Sequence, residues 1–227
     1  MFLLRDQKMG LRLDLVLTDE DAAMTTNIVK RDRKLTFEQF IKQLPDDDGR
    51  YELINGEILR ILATRQHEDV ADFIQRKFDR ESERLNLNYR ISNRITIKTI
   101  TADGTQQGRR PDVSVVDKTI WEANRAAYSA LLDPLLIAVE VVSTNWEDDY
   151  VDKLDEYKRN GISEYWIVDY LAFFSRNYLG NPKVPTVFVY LLDENGNYQV
   201  SAFRGSDKIV SRAFPQINLT AEQIFKA

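Results

Sequence analysis

The residue types best able to do chemistry in this chain gather between Glu140 and Lys153. Glu140 interrupts Leu135 to Val142, an otherwise almost continuous apolar run of strand length and β-branched content, the pattern of a strand covered on both faces. A carboxylate there is costly unless it is paired, hydrogen-bonded or bound to a metal. Strand residues two apart share a face, so Glu140 and Val142 point the same way. Lys153 lies on the next helix, where Tyr150, Leu154 and Tyr157 form an apolar stripe at i, i+4 and i+7. At about 100° per residue, Lys153 falls beside Tyr157 on the edge of that stripe facing the sheet. The strand carboxylate and the helix lysine can therefore meet at the sheet's end. An ordinary salt bridge, or Lys153 paired with Asp149 one turn earlier, is equally compatible with this spacing.

A second group stands at Arg109-Arg110-Pro111-Asp112. Proline is acceptable at a strand's first position, so Asp112 opens the apolar run Val113 to Val116 and can project toward the same edge as Glu140. Arg109 and Arg110 beside it are candidates to bind phosphate or to neutralise the aspartate. An Asx-type turn with a charge-balancing arginine is the plainer alternative.

Composition narrows the chemistry. With 227 residues, 43% hydrophobic and 30% charged, the chain is long enough to bury a core and is not of disordered type. Zero cysteines exclude disulfides, thiolate zinc sites and thiol catalysis, and fit a cytoplasmic protein. The single histidine, His67, argues against a histidine metal cluster or a Ser-His-Asp triad. A metal here would be held by oxygen, which favours Mg²⁺ or Mn²⁺. No apolar run is long enough to span a membrane. The net charge of −5 speaks against a passive nucleic-acid-coating protein but not against a nuclease, whose carboxylates are neutralised by bound ions.

The elements that must position these groups follow in chain order. Met1 to Lys34 reads as an N-terminal extension, partly disordered or packed as an edge; its basic run Lys30 to Lys34 is a linker or a phosphate contact. A short helix starts at Thr36, its N-cap, and stops by Pro45, and Asp46-Asp47-Asp48-Gly49 reads as a turn and lacks the EF-hand spacing. Asn55-Gly56 between Tyr51 to Ile54 and Glu57 to Leu62 is a strong hairpin signal. A helix runs from about Gln66 to Leu85. Two strands near Tyr89 to Ile91 and Arg94 to Thr99 precede a polar turn, Asp103 to Gly108. Trp121 to Leu132 is a helix or irregular crossover. Leu135 to Asp169 reads as strand, helix, strand, with Asn145 the N-cap, Asn160-Gly161 the stop and a right-handed parallel crossover. Thr186 to Leu192, Tyr198 to Arg204 and Lys208 to Val210 are short strands, and a helix capped at Thr220 ends the chain.

The phrases YELINGEI, RRPDVSVV, IAVEVVS and DKLDEYKRNGISEYWIVD resemble the Uma-type, restriction-endonuclease-like family of the PD-(D/E)XK nuclease superfamily, over about Leu35 to Ala227. The resemblance implies an α/β (α+β) fold: a restriction-endonuclease-like mixed sheet flanked by helices, with an N-terminal hairpin and C-terminal short strands, in one domain spanning 35–227. It implies a metal-dependent endonuclease hydrolysing DNA phosphodiester bonds with Mg²⁺ or Mn²⁺, Asp112 matching the motif's aspartate and Glu140 its (D/E). The lysine position two after Glu140 is Val142, a departure; in some branches the lysine moves to the following helix, where Lys153 stands. Glu52 resembles the upstream acidic residue, and the backbone carbonyl of Val141 is implied as a further metal ligand. His67 falls where the family often has a histidine, although a solvated or helix-entry histidine explains it as well. A catalytically weak module that binds nucleic acid or protein is the alternative, and a homodimer is left open.

Overall fold

A computed structural model of the chain describes residues 34–144 and 146–227. The N-terminal extension before Lys34, its basic run up to Arg33 and the N-cap expected at Asn145 lie outside the described residues. Helix α1 (Phe37–Gln43) is opened by a capping box on Thr36, in which Thr36 and Gln39 satisfy each other's backbone N–H groups. Strands β1 (Arg50–Ile54) and β2 (Glu57–Ile61) form the hairpin. Asn55 and Gly56 between them have φ of 53° and 90°, the left-handed pair that a two-residue type I′ turn requires.

Helix α2 (Arg65–Leu85) is capped by Thr64, whose hydroxyl accepts from the His67 N–H. It ends at Asn86, also left-handed. Its Val70, Ile74 and Phe78 are buried at helical spacing. Then come β3 (Tyr89–Ser92), β4 (Thr96–Ile100), β5 (Gln106–Arg109) and β6 (Val113–Asp117). The polar turn expected over Asp103 to Gly108 is shorter than its composition suggests, because Gln106, Gln107 and Gly108 belong to β5. Gln107 is held there by side-chain bonds to Asn55. At Gly108 a Cβ would lie 2.7 Å from the Phe40 ring, so glycine allows the strand its close approach.

The crossover from Trp121 to Leu132 resolves into the end of α3 (Lys118–Glu122), turns, and the short β7 (Ala130–Leu131). Strand β8 (Ile137–Val141) leads through a π-helical turn, Asp148–Asp152, into α4 (Lys153–Asn160), which stops at left-handed Gly161. Strand β9 (Glu164–Asp169), helix α5 (Arg176–Leu179), strands β10 (Thr186–Leu192) and β11 (Tyr198–Phe203) and helix α6 (Ala221–Phe225) complete the chain. The strand expected at Lys208 to Val210 is only a single bridge from Lys208 to Thr220.

The described strands form two sheets. One has the order β2-β1-β5-β4-β7, the other β11-β10-β9-β8-β6-β3. The hairpin therefore belongs to a second sheet, joined through β5. In the six-stranded sheet β8 and β9 are adjacent and parallel, with Glu140 opposite Ile167, as the strand-helix-strand pattern predicts. Strand β6 runs antiparallel to β8, pairing Val113 with Val139. Ile137, Val139 and Val141 enter the core under α2. Ala138 and Val142 enter the one built with Tyr150, Tyr157 and Tyr165. Alternation along β8 thus puts Glu140 on the α4 face, between two apolar neighbours. No helix among the described residues is long and apolar enough to cross a membrane.

Candidate active site

Asp112 precedes the first residue of β6. Extending the register by one residue sets it opposite Glu140, and cross-strand partners share a face. Its carboxylate accepts the Val141 N–H at 2.7 Å through Oδ2 and pairs with Arg50 of β1 through Oδ1. Burial pushes its pKa up, but Arg50, then His67 and Lys153, outweigh that and hold it well below the usual carboxylate range.

Glu140 is 1% exposed, and both its oxygens are held from α4. Oε1 accepts the Tyr157 hydroxyl at 2.6 Å, and Lys153 Nζ lies 3.0 Å from Oε2. Burial, together with Asp112, Asp149 and Glu52, pushes its pKa up to about 8 against the opposing effect of Lys153. Lys153 is 6% exposed and also lies 3.0 Å from Asp149 Oδ1. Both pairings open from the sequence are therefore present. The π-helical turn, a feature frequent at functional sites, brings Asp148 and Asp149 to this ammonium. Asp149 is raised to about 6, chiefly by burial.

Glu52 of β1 lies deep in the same region, its Oε1 accepting the Arg110 N–H at 3.1 Å. Arg109 is a correction to the sequence expectation. It is 1% exposed and turns inward, bidentate on Glu156 at 2.9 and 2.7 Å. A third contact, at 3.3 Å, reaches Glu52. A guanidinium whose donors are spent on buried carboxylates neutralises charge and is not presented to a phosphate. Arg110 is half-buried and donates to the carbonyls of Asn93 and Gly49.

The structure brings His67 to the site and adds Arg50 and the Tyr157 hydroxyl, which the sequence did not single out. His67, on the first turn of α2, has Nε2 3.3 Å from Asp112 Oδ2, while its buried Nδ1 has no hydrogen-bond partner among the described residues. Arg50 and the hydroxyl of Tyr157 contact the two central carboxylates directly. Tyr157 sits in an apolar stripe, where periodicity reports its ring and is blind to its oxygen. Arg50 is a strand-end arginine before a hairpin, and nothing local ties it to Asp112, 62 positions away in sequence.

Arg50, Glu52, His67, Asp112, Glu140 and Lys153 line one cleft of about 540 Å³, together with Val141, Asp148 and Asp149. Hard carboxylate and carbonyl oxygens outnumber the cations there, a donor set that fits Mg²⁺ or Mn²⁺. Among the described residues no three carboxylate or imidazole groups already converge as a finished metal cage. Arg50 and Lys153 lie against the carboxylate oxygens for which a metal ion would compete.

A model of the Uma2 protein family, described as "Putative restriction endonuclease", matches residues 37–222. Among solved structures the chain is similar to one described as a putative nuclease belonging to DUF820 from Anabaena variabilis ATCC 29413. The two share 17% identity over 85% of this chain and 98% of that one, with a TM-score of 0.63, a likeness of fold. No curated protein matches the sequence.

Proposed function

The chain belongs to the Uma2 family, and from the geometry of its cleft we propose that it is a metal-dependent nuclease that hydrolyses DNA phosphodiester bonds. One observation carries this: Asp112 and Glu140 stand side by side at the ends of neighbouring strands, with the Lys153 ammonium 3.0 Å from Glu140. In this reading Asp112, Glu140 and the Val141 carbonyl would hold Mg²⁺ or Mn²⁺. The bound ion would supply Lewis-acid polarisation of the phosphate and a water of lowered pKa. Lys153, 3.0 Å from Glu140 Oε2, would neutralise charge developing on the phosphoryl oxygens. Tyr157 fixes the Glu140 carboxylate, and Glu52 adds negative charge deeper in the cleft.

The competing reading is a catalytically weak module that binds nucleic acid or protein. It is favoured by the completeness of the ion pairs, since Asp112 and Glu140 already have protein donors on every oxygen. Incubation with several DNA forms in Mg²⁺ and in Mn²⁺, with chelator controls and the Asp112→Asn variant alongside, separates the two. Chelator-sensitive cleavage that disappears in the variant supports the nuclease. Absence of cleavage in either metal supports the module.

A further inference from the structure

The mouth of the cleft is built differently from its depth. On one side, where β2 runs into α2, Leu62 is 83% exposed. On the other, in the loop after β9, Leu171 is 45% exposed. Both line the cleft that holds Asp112 and Glu140. The Leu171 loop is held firmly. Asp169, fully buried, accepts the N–H groups of Phe173 and Phe174 at 2.8 and 2.9 Å. Ala172 adopts φ of 54°, a left-handed conformation costly for a residue with a Cβ. A strained and pinned segment therefore carries a large apolar side chain in water at the entrance to the site, where strain is commonly retained for function.

The cleft is also poor in free cations. Among the described residues its lysines and arginines are Arg50, Arg60 and Lys153, and two of these are committed to Asp112, Glu140 and Asp149. Lysine and arginine neutralising phosphates supply much of the affinity for nucleic acid, more steeply for duplex than for single strand, and among the described residues this cleft supplies them sparingly. Proteins that hold single strands add contact with exposed base faces to charge neutralisation, and base pairing and stacking hide those faces in an intact duplex. Asp112 and Glu140 are almost fully buried and are reached through the cleft they line.

We propose that the substrate is an unpaired DNA strand, and that Leu62 and Leu171 pack against the bases flanking the phosphate carried into the cleft. This rests on the nuclease reading above and adds the substrate class to it.

The test is fluorescence-anisotropy binding with Ca²⁺ in place of Mg²⁺. One labelled sequence is presented as a single strand, as a blunt duplex, and as a single strand with abasic central positions. The single strand is expected to bind at least about tenfold tighter than the duplex, and the abasic strand to lose about tenfold, in the range of removing one or two stacking contacts. The Leu62→Ala/Leu171→Ala double variant is expected to lose a similar factor for the single strand, with its melting temperature and the salt dependence of binding unchanged. Equal binding of duplex and single strand, no loss on removing the bases, or a double variant that binds like wild type would each overturn the proposal. The two readings fail separately. A protein with these binding preferences that cuts nothing in Mg²⁺ or Mn²⁺ defeats the nuclease alone. One that cuts intact duplex as fast as single strand defeats the substrate assignment alone.

Discussion

Lys153 Nζ lies 3.0 Å from Glu140 Oε2, linking the first residue of α4 to the strand it crosses. On the helix surface, loss of this lysine would cost little, up to ~0.5 kcal/mol. Buried between Glu140 and Asp149 it is a different residue. Lys153→Ala leaves two buried carboxylates without their cation, a change worth about 3–5 kcal/mol when no proton replaces it. Protonation of Glu140 and Asp149 reduces that cost. We expect a lowered but cooperative thermal transition, and cleavage slower by about a hundredfold or more, the range for losing one electrostatic contact at a reacting centre. Lys153→Arg should restore most of the stability and little of the rate, because a planar fork does not replace a compact ammonium. Cleavage by Lys153→Ala at the wild-type rate would reject this role.

Tyr157 reaches the other oxygen of the same carboxylate, at 2.6 Å. The tyrosine and the lysine are one helical turn apart, so α4 grips both oxygens of Glu140 and sets its rotamer. Tyr157→Phe removes one hydroxyl and keeps the buried ring. The expected result is a near-normal fold and a loss of about 10–100-fold in Mn²⁺ affinity, typical of residues that orient a metal ligand. Activity should recover in part as Mn²⁺ is raised. Calorimetric titration of the two proteins checks it; identical affinities would remove Tyr157 from the site.

Much of this arrangement was legible in the sequence because it follows from short-range rules. The almost continuous apolar run around Glu140, the helix stop at Asn160-Gly161 and the second apolar run pointed to the parallel β8–β9 pair. The period of α4 then brought Lys153 to the sheet. Long-range charge pairing was not legible. Arg109 and Arg50 are arginines of similar local setting, yet one neutralises Glu156 and the other Asp112, and that choice is made by how β5 and β1 pair. The reach of β5 was missed for a related reason. Gln106-Gln107-Gly108 has turn composition, and its strand character comes from pairing with β4 and from the Phe40 ring over Gly108.

The pKa values of the central acids predict a pH dependence of definite sign. Glu140, raised chiefly by burial to about 8 from an ordinary 4.5, holds a proton in the folded metal-free chain that the unfolded chain has lost. Its contribution to stability is fully present below its ordinary pKa and is lost as pH rises toward 8. Asp149 behaves alike up to about 6. Asp112 is shifted the opposite way, so its contribution is present above its ordinary range and is lost as pH falls below it. Metal binding must displace the Glu140 proton. Mn²⁺ affinity should therefore rise from pH 6 to about 8, with up to about one proton released per ion near neutrality. Calorimetry in buffers of different ionisation enthalpy measures this; a pH-independent affinity with no proton release would contradict it.

Arg109 supplies the sharpest separation between a structural and a DNA-binding arginine. Its guanidinium joins β5 to α4 through Glu156, which also accepts the Thr99 hydroxyl at 2.6 Å, and it reaches Glu52 and Asp148 as well. Arg109→Leu removes the shared cation of three carboxylates, two of them fully buried. The expected loss is about 3–5 kcal/mol, seen as an earlier urea midpoint. Arg109→Lys should recover only part of it, since a point charge cannot reproduce the two parallel bonds to Glu156. A phosphate-binding arginine behaves in the opposite way: its removal leaves stability unchanged and lowers the salt slope of DNA binding by about one. Measured together, the urea midpoint should move and the salt slope should not. A variant with wild-type stability and a shallower salt slope would return Arg109 to the DNA surface and remove the brace between the β5 sheet and the helix that carries Lys153.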